Sequence, residues 1–360
     1  MFSDSANDFA LAGVLGAILT LAAVLVAVPL LSLIGTRLAI PLLRRIGADD
    51  RPNERSSHDR PVPRGGGIVP VVLVALVIAL VEAPGAFQPS GVTAAIMAVV
   101  LAAVGLGDDL VRLPPWPRLA IQAVAVGAGL AVLPSDVLVF HGLLGLPADR
   151  VLAGVLWLWF VNLYNFMDGI DGLAAGQTVV TGAGLGLVLL VLGSSQLGAS
   201  RLDDWMFTVA VALAAAAFGF LRWNWPPASV FLGDAGSVPL GYLAGWLLLL
   251  TAAHGPAAHG SWSAAVILPL YFVADATTTL AARVGRGRAP WRAHRDHAYQ
   301  IAARGRSHAW VTGRVLLLDL WLVALAITAA LSPDGPWPVL GLALVSVAAT
   351  LWYFRRQRPR

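Results

Sequence analysis

Residues Phe160–Gln177 read FVNLYNFMDGIDGLAAGQ. The stretch follows the apolar run VLAGVLWLWF and leads into another, yet it carries Asn162, Asn165, Asp168, Asp171 and Gln177. An unpaired charge inside a bilayer costs about 3 kcal/mol even on the most lenient scale. Either the segment ends at water, or its polar groups face a site walled by protein.

Composition decides the surroundings. Of 360 residues, 58% are hydrophobic and only 12% charged, and the mean hydropathy is +0.76. Soluble domains carry about 25% charged residues. The chain is therefore predicted to be an all-α polytopic membrane protein, one integral-membrane domain over residues 1–360. It has no cysteine, which excludes disulfides, thiolate catalysis and Cys-ligated metals. Lysine is absent too, so the net charge of +4 is an excess of arginine. The positive loops also hold acidic groups, which argues against nucleic acid as a partner.

About 20 apolar residues cross a bilayer. Such runs lie near 9–34, 68–87, 91–107, 117–134, 151–167, 173–193, 205–221, 237–253, 262–282, 314–331 and 337–354. Eleven spans are predicted, with ten as the alternative division. The flank MFSDSANDFA is acidic and the run after it has spanning length, so the first span reads as a retained helix rather than a signal peptide.

Arginine orients the map. Alternate connections hold seven (37–64), two (Arg112 and Arg118), none (168–172), one (Arg222) and eight (283–314), and the C-terminal tail holds four. The opposite connections hold only Arg150 and Arg201. The positive-inside rule makes the first set cytoplasmic, with the N-terminus out and the C-terminus in. Residues 35–67 and 283–313 become the main cytoplasmic loops. The same face receives GLGDDL, MDGIDG, FLGDAGS and WRAHRDHAYQ, so four distant polar segments are expected to meet there.

Each segment has an ordinary reading beside the chemical one. Asp108 and Asp109 end a span, where acid opposes the helix dipole; adjacent carboxylates repel unless they share a cation or proton. Asn162, Asn165, Asp168 and Asp171 recur every three residues, drifting about 60° per step along one side of a helix. Asn commonly ties membrane helices together, but that does not explain two carboxylates. Asp234 in FLGDAGS reads equally as a helix cap. Taken together, cytoplasmic carboxylates without cysteine suit a hard divalent cation, Mg²⁺ or Mn²⁺, rather than Zn²⁺. His294 and His297, interleaved with Arg292 and Arg295, suit a phosphate or pyrophosphate. Gly65–Gly67 offers backbone N–H groups that cradle an anion or simply hinge. Asp275 is expected to pair within the bundle, His141, His254 and His259 to lie in outer loops, and His308 has no assignment.

Five pieces, SSHDRPVPRGGGI, GLGDDL, NLYNFMDGIDGLAAGQ, WNWPPASVFLGDAGS and HRDHAYQ, occur in the order seen in polyprenyl-phosphate N-acetylhexosamine-1-phosphate transferases. The chain resembles that family from about residue 35 to 315, and HRDHAYQ leans toward its O-antigen-initiating branch. The resemblance implies a Mg²⁺-dependent enzyme (Mn²⁺ an option) of the bacterial inner membrane. Its cytoplasmic site would move a sugar 1-phosphate from a UDP-N-acetylhexosamine to undecaprenyl phosphate, with release of UMP. It further implies that Asp171 and Asp234 lie closest to the metal and pyrophosphate, and that Asp108, supported by Asp109, acts at the acceptor phosphate. Phe231 resembles the uracil-stacking aromatic and Asn224 a nucleotide-contacting amide. Asn162, Asn165 and Asp168 would shape the pocket, while His294, Arg295 and His297 would contact donor phosphate or sugar. A homodimer is an open option. Peptidoglycan or teichoic-acid-type lipid synthesis is the alternative within the family, and an ion-coupled secondary transporter the alternative outside it.

Overall fold

The computed structural model describes residues 2–50, 60–82, 89–194, 205–253, 261–289, 294–332 and 335–357. The order is α1 (Phe2–Arg45), β1 (Asp49–Asp50), β2 (Val62–Pro63), α2 (Ile68–Glu82), α3 (Pro89–Val111), α4 (Pro115–Ala131), α5 (Leu146–Phe166), α6 (Leu173–Ser194) and α7 (Trp205–Asn224). There follow α8 (Asp234–Ala253), α9 (Ser261–Ile267), α10 (Leu270–Val284), α11 (Ala298–Ala303), α12 (His308–Leu331) and α13 (Trp337–Arg355). The strands form one small antiparallel pair, Asp49 opposite Pro63 and Asp50 opposite Val62.

Among the described residues, eight helices are long and apolar enough to cross a membrane: α1 from Ile18, α3, α5, α6, α7, α8, α12 and α13. α9 and α10 together make a ninth, bent by 59° at their break. Pro269 stands at that break; it lacks an N–H and cannot continue a helix. The eleven expected spans are thus not all of spanning length. α2 has 15 residues and α4 has 17, about 22–26 Å against a hydrocarbon core of about 30 Å. α4 opens on Pro115 and stops at Ala131, short of the expected end at 134. Arg201, His254, His259, Arg292 and residues 51–59 lie outside the described residues.

α8 sits at the centre and is buried along most of its length, as an apolar helix enclosed by others must be. It packs between α3 and α5. Trp157 of α5 stacks on Tyr242 of α8 at 4.7 Å and donates its indole N–H to the Tyr242 carbonyl at 2.9 Å. Tyr242 in turn donates to the Ala125 carbonyl of α4. α1 lies against α7, with the Ser32 hydroxyl donating to the Ala216 carbonyl at 2.6 Å and Trp223 to the Leu33 carbonyl at 2.9 Å. The outward faces of α1, α12 and α13 carry exposed Leu19, Leu38, Leu317, Leu320 and Val345, which a lipid environment accepts and water does not. The chain is a multi-pass membrane protein.

One end of the bundle collects the polar segments. The α5–α6 turn, the end of α3, the start of α8, the β2–α2 connection and the α10–α12 region all meet there through the contacts described next.

Candidate active site

The 162–171 stripe is split by the end of α5. Asn162 and Asn165 are helical, whereas Asp168 and Asp171 lie in the turn between α5 and α6, so the four do not share one helix face as their spacing predicts. Gly172 has φ of +75°, a conformation glycine adopts without penalty, and it turns the chain before α6. Its N–H donates to Asn224 Oδ1 at 3.1 Å, and Asn224 Nδ2 donates to the Val230 carbonyl. Asn224 therefore arrives at the site as a strut between two turns.

Three carboxylates from two helices converge on two guanidinium groups. Arg64 Nε lies 2.8 Å from Asp109 Oδ1, and Arg64 Nη2 lies 2.8 Å from Asp234 Oδ1. Arg118, from α4, places Nη1 2.7 Å from Asp108 Oδ2 and Nη2 2.7 Å from Asp234 Oδ2. Asp234 is thus clamped on both oxygens while its own side chain is almost fully enclosed. Asp109, with no exposed side-chain surface, accepts the Asp234 and Ala235 N–H groups at 3.1 and 3.2 Å. It caps the N-terminus of α8 from a neighbouring helix, where the dipole favours an anion. Asp108 accepts the Leu113 N–H at 2.5 Å. The expectation that Asp108, Asp109 and Asp234 gather at one face is met by direct contact.

Gly233, at φ +72°, leads into α8; a Cβ there would meet Asp109, Gly65 and Arg64. The triple glycine is correspondingly a packing joint and not an anion cradle. Gly66 and Gly67 spend their N–H groups on the Phe231 and Leu232 carbonyls, each at 3.0 Å. A Cβ on Gly67 would strike Gly236 and Leu232. Close approach of α2 to the α8 turn, which no local sequence feature reveals, accounts for Gly66 and Gly67, while Gly65 has φ of +93° and would place a Cβ against Leu106 of α3. Phe231 is half-buried in that turn, tied by its N–H to the Pro63 carbonyl at 2.8 Å.

Asp171 forms a second wall. Its Oδ1 lies 3.3 Å from His308 Nδ1, its Oδ2 accepts the Ala228 N–H at 3.0 Å, and its carbonyl accepts the Thr312 hydroxyl at 2.9 Å. The half-buried Asp168 lies between the walls, within electrostatic reach of Arg64, Asp234 and Asp109. Burial pushes its carboxyl well above the ordinary carboxylate range; Arg64 pulls it down, and Asp234 and Asp109 add to the rise. Burial works against the Arg64 charge, but Asp109 and Asp234 outweigh it and raise the guanidinium pKa. Asn165 donates to the Ser237 hydroxyl at 2.8 Å and Asn162 to the Leu158 carbonyl.

The histidine segment is held from below. Asp275 of α10 accepts the Ala298 and Tyr299 N–H groups at 2.8 and 3.2 Å, and Arg283 pairs with Asp296. Tyr299 donates to the Phe166 carbonyl at 2.8 Å, which brings this segment against the α5–α6 turn. The rings of His294 and His297 lie 4.9 Å apart, edge on. His294 Nε2, both nitrogens of His297 and Arg295 Nη2 are enclosed without a hydrogen-bond partner among the described residues. Burial lowers His297 to about 3, with the neighbouring His294 charge acting the same way. Burial lowers His294 too, followed by the Arg283 charge. For Asp296, burial acts upward, but the Arg283 hydrogen bond and charge prevail and hold it low.

A groove of about 240 Å³ runs between α4 and α5, lined by Trp116, Arg118, Leu119, Gln122, Asn162 and Phe166 among others. It is apolar along its flank and ends on Arg118, the residue that bridges Asp108 and Asp234. Arg64, Arg118 and His308 make contacts here that their positions in the sequence, at the ends of spans, do not disclose. A lone Arg inside the apolar opening of α4, PPWPRLAIQ, is the signal that was present for Arg118.

Comparison with known proteins identifies the family. The profile described as glycosyl transferase family 4 matches residues 92–252, from α3 through α8. A decaprenyl-phosphate N-acetylglucosaminephosphotransferase of Mycolicibacterium smegmatis is 30% identical over 88% of this chain and 84% of its own. The protein of the same name from Mycobacterium tuberculosis is 29% identical over 85% and 82%. A phospho-N-acetylmuramoyl-pentapeptide-transferase of Streptococcus thermophilus is 33% identical over 50% of this chain and 56% of its own. The chain belongs to glycosyl transferase family 4, among the polyprenyl-phosphate hexosamine-1-phosphate transferases.

Proposed function

We propose that the protein transfers an N-acetylhexosamine 1-phosphate, GlcNAc 1-phosphate in the first instance, from a UDP-sugar to a polyprenyl phosphate such as undecaprenyl phosphate. UMP leaves, and the lipid-linked sugar starts an envelope polysaccharide of O-antigen type. The site faces the cytoplasm of a bacterial inner membrane, in keeping with the arginine-rich ends gathered around it. The observation that carries this reading is Arg118, which joins the mouth of a lipid-side groove to the Asp108–Asp234 carboxylates.

Two anionic substrates must approach within bonding distance, so the site has to offset their repulsion. The acceptor phosphate enters along the α4–α5 groove and meets Arg118, Gln122 and Asn162. An oxygen of the acceptor phosphate attacks the sugar-bearing phosphorus of the donor. The pyrophosphate bond breaks, and its electron pair leaves on UMP. Asp108 orients the acceptor rather than deprotonating it, because a phosphate monoester is already largely ionised near pH 7. The enclosed nitrogens of His294, Arg295 and His297 supply donor-side contacts, and Phe231 offers a face for the base.

By donor type, carboxylate oxygens with no thiolate suit a hard divalent cation, while among the described residues no three His, Asp or Glu side chains gather as a ready-made metal site. Asp234 and Asp171 would hold Mg²⁺, which would offset charge on the pyrophosphate. The guanidinium clamp then keeps Asp234 in place between turnovers.

The test is UMP release by purified protein with Mg²⁺, undecaprenyl or decaprenyl phosphate, and a donor panel of UDP-GlcNAc, UDP-GalNAc and 6-deoxy-amino sugars. UMP is expected with at least one UDP-N-acetylhexosamine and only when the lipid is present. Silence across the whole panel would refute the reading.

A further inference from the structure

Away from the carboxylates, the start of α12 and the end of α13 lie side by side and gather positive charge that their surroundings leave uncancelled. Arg306 and Arg314 stand on one indole: their guanidinium carbons lie 5.2 and 4.5 Å from the Trp310 ring centre. Arg314 also lies 5.8 Å from the Tyr353 ring, and Arg356 lies 3.9 Å from that of Trp352. Rings position guanidinium groups by their quadrupoles but do not neutralise them. None of these three arginines forms an ion pair among the described residues. Arg306 reaches only the neutral amide of Gln357, at 3.3 Å. All three are exposed, as are Trp352 and Tyr353.

The depth of this cluster points to its ligand. α12 and α13 both have spanning length, and the cluster occupies the terminal turns of each. That is the level at which Trp and Tyr concentrate and lipid phosphates lie. Along these two helices the described carboxyl is Asp319, buried about three turns inward. Two exposed guanidinium groups on one ring concentrate positive charge at the level of lipid phosphates, and each can pair with phosphate oxygens through its own two-pronged N–H face.

We propose that Arg306, Arg314 and Arg356, on their Trp310–Tyr353–Trp352 platform, bind the headgroup phosphate of an anionic glycerophospholipid of the surrounding leaflet. The site is separate from the acceptor groove between α4 and α5. A lipid there would steady the start of α12, whose His308 and Thr312 hold Asp171.

The experiment compares the wild-type chain with R306Q/R314Q and R306K/R314K in nanodiscs of phosphatidylglycerol and phosphatidylcholine, reading retained lipid by native mass spectrometry. Wild type is expected to retain phosphatidylglycerol over phosphatidylcholine. The Gln pair should retain it about 30-fold less, from roughly fivefold per charge removed at a membrane surface, while the Lys pair keeps most of the binding. Equal retention by wild type and the Gln pair, or no preference between the two lipids, would overturn the proposal. So would displacement of phosphatidylglycerol from the patch by added undecaprenyl phosphate, which would assign it to the acceptor.

Discussion

Replacing Arg118 by Ala removes two contacts of 2.7 Å, one to Asp108 and one to Asp234. A hydrogen bond between charged groups contributes about 1.5–3 kcal/mol. With 29% of the Arg118 side chain exposed, the low end applies, about 2–3 kcal/mol for the pair. Asp234 keeps Arg64 and stays placed, so the fold is retained. The acceptor phosphate, by contrast, loses the one guanidinium at the end of its groove. The acceptor KM should therefore rise about 30–150-fold if the phosphate loses as much, while the donor KM changes by less than about threefold. Arg118→Lys restores the charge but not the two-pronged bridge, and should fall between the two. UMP release is to be measured against acceptor concentration at saturating donor, with thermal unfolding in detergent as the control for folding. An unchanged acceptor KM in a folded Arg118→Ala protein, or equal rises in both KM values, would refute the placement of the acceptor.

Asp109→Ala should act mainly on stability: Arg64 keeps Asp234, but the two N–H groups that begin α8 lose their acceptor, a loss of about 1–3 kcal/mol. A drop of several degrees in the unfolding temperature is expected, and an unchanged value would contradict the capping role. The His297 segment should loosen in acid. Its folded pKa of about 3 lies below the ordinary 6.5, so below pH 6.5 the unfolded chain takes up a proton that the folded segment refuses. Stability is intact above pH 6.5 and falls as pH drops toward 3, by at most about 1.4 kcal/mol per pH unit. Hydrogen exchange of residues 294–303 at pH 7.5, 6.5 and 5.5 reads this directly, and His297→Asn should flatten the trend; parallel trends in both proteins would refute it.

How far the sequence discloses this architecture depends on the range of the contact. The membrane class follows from composition, and the gathering of Asp108, Asp109, Asp171 and Asp234 at one end follows from arginine asymmetry and span counting. Whole-helix periodicity, however, put Asp168 and Asp171 on a helix that stops at Phe166, because the stop depends on turn geometry at Gly172. The triple glycine was read for its free N–H groups, which the structure spends on Phe231 and Leu232. That pairing joins segments more than 160 residues apart and leaves no local trace. Arg64, Arg118 and His308 were hidden for a related reason: each looks like an ordinary charged residue at a span boundary until its partner from a distant helix is in place. The eleven spans exceed the nine of membrane-crossing length at α2 and α4, whereas 262–282, read as one span, is the bent α9–α10 pair.

In the proposed reaction, Asp234 is the residue where lipid-side and donor-side chemistry meet. The most direct test is single-turnover UMP formation by wild type and Asp234→Asn, each verified as folded, with Mg²⁺, UDP-GlcNAc and undecaprenyl phosphate, and again after EDTA. Wild type should release one UMP per lipid-linked sugar formed, and both Asp234→Asn and EDTA should suppress release by about 1000-fold, as expected when charge stabilisation in the transition state is lost. Release by Asp234→Asn within a few-fold of wild type would contradict the central claim.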